Sequence, residues 1–152
     1  MYKAYVVILV FALGLSCFVF AQEEPAKVVV QPLKTPDECK VLCDNFTQLL
    51  DKDKFDEAFA LLKPHWPLPE NEIAVLQAQT ITQLNTIATR FGGIIGSEFI
   101  SKKVVNDFIA KFTYVQKRQN HIIRWEFIFY KPKDSWLVNA IRFDDTIDAL
   151  LQ

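Results

Sequence analysis

The chain has 152 residues, with 17 Lys and Arg against 18 Asp and Glu, for a net charge of −1. A balance this close to neutral excludes a protein that holds nucleic acid by bulk electrostatics, while the length suits one domain with a full hydrophobic core. The 3 cysteines and 2 histidines show no zinc-type spacing, so neither a metal nor another cofactor is expected.

Residues 1–21 read as an export signal: Lys3 supplies the positive start, Ala4 to Phe20 the apolar run, and Val19-Phe20-Ala21 a peptidase site with cleavage before Gln22. The run, at about 17 residues, is also long enough for a retained anchor. The polar Gln22-Glu23-Glu24-Pro25 that follows, with no basic stop-transfer cluster, favours cleavage. A lipoprotein signal would use Cys17, but Gly14 stands where such a signal has an aliphatic residue, and Phe18 to Phe20 continue the apolar run. The expected location is the periplasm or the exterior, with membrane contact only through an uncleaved signal.

Removal of Lys3 with the signal takes the net charge to −2, and the remaining charge is uneven. Residues 22–72 carry eleven acids against six bases, and residues 101–133 carry eight bases against Asp107 and Glu126. A solvated sheet face accounts for the basic stretch more simply than an anion site does.

Residues 22–34, polar and punctuated by proline, read as a flexible tail before a single domain over 35–152. Thr35-Pro36-Asp37-Glu38 is a helix start with a capping threonine, proline in the first turn and a glutamate three residues on. Val41, Leu42, Phe46, Leu49 and Leu50 follow at helical spacing. Cys39 and Cys43 fall four apart on this helix, as two small buried residues or as a strained local disulfide. Phe55, Phe59 and Leu62 mark a second short helix, ended by the prolines of Lys63-Pro64-His65-Trp66-Pro67-Leu68-Pro69. A third helix is expected from Glu70 to Arg90. Gly92, Gly93 and Gly96 then mark a change from helical to alternating periodicity.

Strands are expected at 97–105, 108–116, 121–130 and 135–144. Turns at 117–120 and 131–134 would place Tyr114 opposite Ile123, Phe112 opposite Trp125 and Phe108 opposite Phe129, then Phe129 opposite Trp136, Trp125 opposite Ala140 and Ile123 opposite Arg142. All these would share one apolar face. The same register sets Lys111 against Glu126 on a mixed opposite face that also carries Val115, Ile128, Tyr130, Ile141 and Phe143.

Helices first and an antiparallel meander second make an α+β layer, with helices on one side of a curved sheet. The stretch Asp53-Lys54-Phe55-Asp56-Glu57-Ala58-Phe59, the Phe91-Gly92 exit and the ending Phe129-Tyr130-Lys131-Pro132-Lys133-Asp134-Ser135-Trp136-Leu137-Val138 resemble the NTF2-like (cystatin-like) α+β cone in its small secreted versions. The resemblance spans residues 36–145. It implies an apolar pocket between sheet and helices, and a role ranging from isomerase or dehydratase to non-catalytic binding or dimerisation module. Such enzymes set Asp, Tyr or His in the pocket, and of these the expected inner face offers only Tyr114.

The candidate site is Tyr114, Trp125 and Arg142. Trp125 would flank a void left by Ala110 and Ala140, while Tyr114 and Arg142 at its mouth would receive an apolar or amphipathic ligand bearing a carboxylate. A filled core, with Arg142 paired to a helix acid such as Asp44 or Glu57, is the simpler alternative. His65, His121 and the pair Asp144-Asp145 carry no pattern that marks a base or a metal site. The mixed outer face would suit a homodimer. The leading reading is an exported, non-catalytic ligand-binding or dimerisation domain; the alternative is a cone-type lyase or isomerase with Tyr114 as acid and Arg142 holding an anion.

Overall fold

A computed structural model describes residues 28–151. The export signal, its cleavage site and Cys17 lie outside these residues, as do the tail up to Lys27 and the terminal Gln152. Helices α1 (Pro36–Leu50), α2 (Phe55–Leu62) and α3 (Glu70–Phe91) precede strands β1 (Ile94–Val105), β2 (Ile109–Arg118), β3 (Ile122–Tyr130) and β4 (Leu137–Asp144). The strands form one antiparallel sheet in the order β1-β2-β3-β4, curved but not closed, and the three helices pack against it as the α+β pattern predicts.

The start of α1 follows its sequence signal. The Thr35 hydroxyl accepts from the Glu38 amide at 3.1 Å, and the Glu38 carboxylate accepts from the Lys34 amide at 2.7 Å. Thr35→Ala leaves that amide without its partner and is expected to cost about 1 kcal/mol, read as a lower urea midpoint at unchanged slope. The buried stripe of α1 is Cys39, Leu42, Cys43, Phe46 and Leu50, while Val41 is exposed. Both cysteines are free thiols with no accessible surface. Burial pushes the Cys39 thiol up to about 12, and does the same in direction to Cys43, so neither is a nucleophile at neutral pH.

The segment expected to be a loose tail is held at its end. Leu33 and Trp136 exchange backbone hydrogen bonds of 2.9 and 2.7 Å, and the Gln31 amide donates to the Pro64 carbonyl at 2.6 Å. Leu33 is buried, so the chain enters α1 from a fixed point beside β4.

The exit from α3 is set by Gly92, at φ +80°, whose amide still bonds the Ala88 carbonyl at 2.9 Å. A side chain there would collide with Gln119, so the position requires glycine twice over. Asn106 and Asp107 take φ of 46° and 55° in the tight β1–β2 hairpin, which twists with the strands it joins. Phe108 therefore sits in the turn, exposed, and not on the apolar face.

The register differs from expectation in two ways. Between β2 and β3, Tyr114 faces Trp125, Phe112 faces Phe127 and Ala110 faces Phe129, a slip of two residues that keeps every side chain on its expected face. The slip arises because the turn is centred on Gln119-Asn120, whose amides donate to the carbonyls of Gly93 and Phe91 at 3.1 and 3.0 Å. Between β3 and β4, Phe129 faces Val138, and a bulge then offsets the pairing so that Phe127 faces Ile141, Trp125 faces Phe143 and Glu126 faces Arg142. The bulge turns Ile141 and Phe143 inward and moves Arg142 to the outer face, away from Tyr114. It avoids setting a guanidinium against the aromatic layer, where an unpaired charge is costly.

The core lies between α1, α2 and the inner face of the sheet, with Phe46, Phe59, Trp125, Phe127 and Phe129 almost fully buried. Helix α3 contributes far less: of its 22 residues only Ile73, Leu84 and Phe91 are buried. Among the described residues no helix is long and apolar enough to cross a membrane.

On the outer face, aliphatic residues stand opposite basic ones. Val115 faces Arg124, Ile128 faces Lys111, and Ile122 faces Lys117. The Lys111 ammonium reaches Glu126 at 2.8 Å diagonally, not from the directly opposite position that sequence reading gives, and Arg124 binds Asp144 at 2.6 Å. That hydrogen bond from Arg124 holds the Asp144 carboxyl below its usual range. Val115 is buried and Ile122 and Ile128 are half-buried, so part of this face is already shielded within the chain.

Candidate functional site

Of the three residues expected to form a site, Tyr114 and Trp125 face each other across β2 and β3, and Arg142 stands on the opposite face of the sheet. Tyr114, buried on β2, donates its hydroxyl proton to Asp44 of α1 at 2.6 Å. Asp44 also accepts from Lys40 at 2.8 Å, and the Lys40 ammonium lies 4.6 Å from the centre of the Phe99 ring. Burial, and then the bond to Asp44, push the phenol well above its usual pKa. An inward carboxylate therefore exists, supplied by a helix and not by a strand. It serves to lock α1 onto β2: the one phenolic proton is committed to a carboxylate that is itself paired.

Trp125 is fully buried, stacked on Phe143 with ring centres 4.8 Å apart, and met edge-on by Phe46 at 5.9 Å. Its indole N–H has no hydrogen-bond partner among the described residues. Arg142 is exposed on the outer face opposite Glu126. The filled-core alternative thus describes the layer around Tyr114 and Trp125, and Ala110 lies within that layer with no accessible surface.

Open space lies outside this layer: a cleft of about 440 Å³ runs between Leu33, His65 and the Val41 side of α1, and two further cavities lie along α3 and β4. One cavity of about 260 Å³ is lined by Phe59, Trp66, Leu68, Leu76 and Thr80 on the helical side and by Asn139 to Ile141 and Phe143 on the strand. A second, of about 330 Å³, is lined by Gln83, Thr86, Ile87, Arg90 and Phe91 against Phe143, Asp144 and Asp145. Phe143 borders both, and behind it lies Trp125. The groove exists because α3 crosses the β4 side of the sheet on few apolar anchors, and because the bulge turns Phe143 inward to become its floor. Its polar end holds Arg90, mostly exposed and only loosely paired with Asp145 at 3.7 Å.

Of the three site candidates only Trp125 approaches this groove, from behind Phe143, while Ala140, expected to border a void, lines it. Sequence reasoning missed Phe143 and Ile141 because it assigned them to the outer face. The signal was present in their bulk, since a β4 whose inner face ended Ala140, Arg142 would have buried its smaller and charged residues and exposed its larger apolar ones.

A second polar cluster closes the other end of the sheet. Asp51 accepts from the Ser97 amide and hydroxyl at 2.8 and 2.7 Å. Arg118, buried on β2, donates to the Gly92 carbonyl at 3.0 Å and to Gln116 at 3.1 Å, while its Nε has no partner among the described residues. Burial lowers the Arg118 pKa, but the two bonds tie the α3 exit to the sheet and give the cluster a structural role.

Among the described residues, no group of three or more His, Cys, Asp or Glu converges as a metal site. No family model, curated protein or solved structure matches this chain.

Proposed function

We propose that the protein is an exported, non-catalytic domain of the NTF2-like cone type that holds an amphipathic ligand in the groove between α3 and β4. The observation that carries this reading is the pair of cavities meeting at Phe143, apolar at the Phe59, Trp66 and Leu76 end and charged at the other, where Arg90 stands beside Asp144 and Asp145 and Asp144 is already bound by Arg124. An apolar chain would enter the first, and a carboxylate at its head would reach Arg90, whose present partner is distant and solvated. Volumes of this order suit a small lipid-like acid. The lyase or isomerase alternative relied on Tyr114 and Arg142 as a pair, and these stand on opposite faces of the sheet.

The test is the native mass of the protein recovered from secretory expression, followed by titration of the ligand-free form with decanoate. An excess mass of a few hundred daltons per chain, lost on denaturation, is expected. Thr80→Trp, which fills the cavity beside Phe143, is expected to abolish both the excess mass and decanoate binding. Arg90→Glu is expected to weaken decanoate binding about tenfold, and Tyr114→Phe to leave it unchanged. No excess mass together with no decanoate binding, or binding that survives Thr80→Trp and is lost with Tyr114→Phe, would overturn the proposal.

A further inference from the structure

Strand β1 is an edge of the sheet and the most exposed strand of the fold. Five large apolar residues, Ile95, Phe99, Ile100, Val104 and Val105, are each 40% exposed or more. A long apolar edge of this kind presents unpaired backbone groups to another chain. At one end Asp51 takes up the Ser97 amide, so the free edge runs from Glu98 to Val105.

We infer that this edge pairs with the same edge of a second copy, antiparallel about a two-fold axis between Ile100 and Ser101, to make a continuous eight-stranded sheet. The argument is the match of charge and face in one register. About that axis Glu98 stands opposite Lys103 of the second copy, and Phe99 opposite Lys102, each contact occurring twice by symmetry. In a regular strand residues 98 and 103 would point to opposite faces. Here the bulge between Phe99 and Ser101 brings them to the same one: Glu98 and Lys103 pair with Val115 and Lys111 of β2, both outward, while Phe99 and Lys102 pair with Tyr114 and Phe112, both toward the helices. The register therefore sets two acid–base contacts on the outer face and two ammonium–aromatic contacts on the inner face. Registers moved toward Val105 bring Lys102 and Lys103 of both copies together about the axis, which like charge disfavours.

Lys103 has no ion-pair partner in its own chain among the described residues, and Glu98 pairs with Lys117 through two exposed side chains. Lys103 is thus free to serve the second copy, Glu98 would exchange Lys117 for it, and Lys102 would turn from Asp37, 3.2 Å away, to Phe99. The inference is independent of the ligand groove, which lies beside β4 at the opposite edge of the sheet.

Sedimentation velocity of the protein recovered from secretory expression tests it, over low- to high-micromolar concentrations. A monomer–dimer equilibrium is expected. Glu98→Lys and Lys103→Glu should each weaken it about tenfold or more by setting like charges opposite each other. The double exchange Glu98→Lys with Lys103→Glu should restore it, and Arg142→Glu on the outer face should leave it unchanged. Thermal melts of the four variants verify that they fold. A monomer throughout would assign the bulge and the lysines to protection of the edge and overturn the inference. So would a dimer that ignores both single exchanges, fails to recover in the double, or dissolves with Arg142→Glu.

Discussion

Phe46→Ala is expected to cost about 4 kcal/mol and to lower Tm by about 15 °C. Phe46 has no accessible surface and is the point at which α1, α2 and the sheet meet. Its ring is edge-on to Phe59 of α2 at 5.6 Å, to Trp125 at 5.9 Å and to Phe127 at 5.2 Å. Removing it deletes the transfer free energy of the ring and leaves a cavity whose walls belong to three different elements. Those walls cannot collapse together, because α1 is pinned at one end by its cap and at its middle by Asp44. Phe46→Leu keeps part of the volume and should lose correspondingly less. The measurement is a pair of urea unfolding curves for each variant; a loss under about 1 kcal/mol for alanine would show that α1 repacks freely against the sheet.

The groove should respond differently. Leu76 lines it and is exposed, and α3 carries few buried residues, so changes on that side of the helix remove little from the core. Helix α3 is held by Ile73, Leu84 and Phe91 and by the bonds of its exit to Arg118, Gln119 and Asn120, so its middle is the least anchored part beside β4. Thr80 and Leu76 on α3 therefore report on binding, whereas Phe59, Trp66 and Phe143 serve groove and core together.

The faces of β2 and β3 were legible in the sequence because alternation has a period of two, and a register error of two residues leaves every face unchanged. The turn could not be centred from its own residues, since what places it is the capture of Gln119 and Asn120 by the α3 exit, a contact 26 residues away for Gln119 with Gly93. Strand β4 was misread beyond Val138 because one extra residue inverts the parity of everything after it. That single bulge separates the expected site from the observed groove: it removes Arg142 from the inner face and supplies Phe143. Asp44 was invisible for another reason. Helical spacing gives the buried stripe of α1, but not which strand residue the flank of the stripe will meet. The sequence did carry the cap at Thr35 and the exit at Gly92, each a local device; the Asn106-Asp107 turn, with both residues at positive φ, carried no such mark.

The Tyr114–Asp44 bond should account for a large share of the link between α1 and β2. Asp44→Ala leaves a buried phenol without an acceptor and is expected to cost about 2–3 kcal/mol, whereas Tyr114→Phe removes donor and hydroxyl together and should cost about 1.5 kcal/mol. In the double variant the second change should add little, giving a coupling of about 1.5 kcal/mol in the cycle. The alkaline limb separates the causes of the raised phenol pKa. Unfolded, the tyrosine ionises near its ordinary value of 10.0, while the folded phenol stays protonated above it. The unfolded state then binds fewer protons, so stability is complete below pH 10.0 and falls as pH rises past it. Because burial is the larger cause, that fall should persist in Asp44→Ala and flatten only in Tyr114→Phe. A coupling near zero would mean that the phenol finds another acceptor. The hold of α1 on the sheet would then rest on the contacts of Phe46 with Trp125 and Phe127.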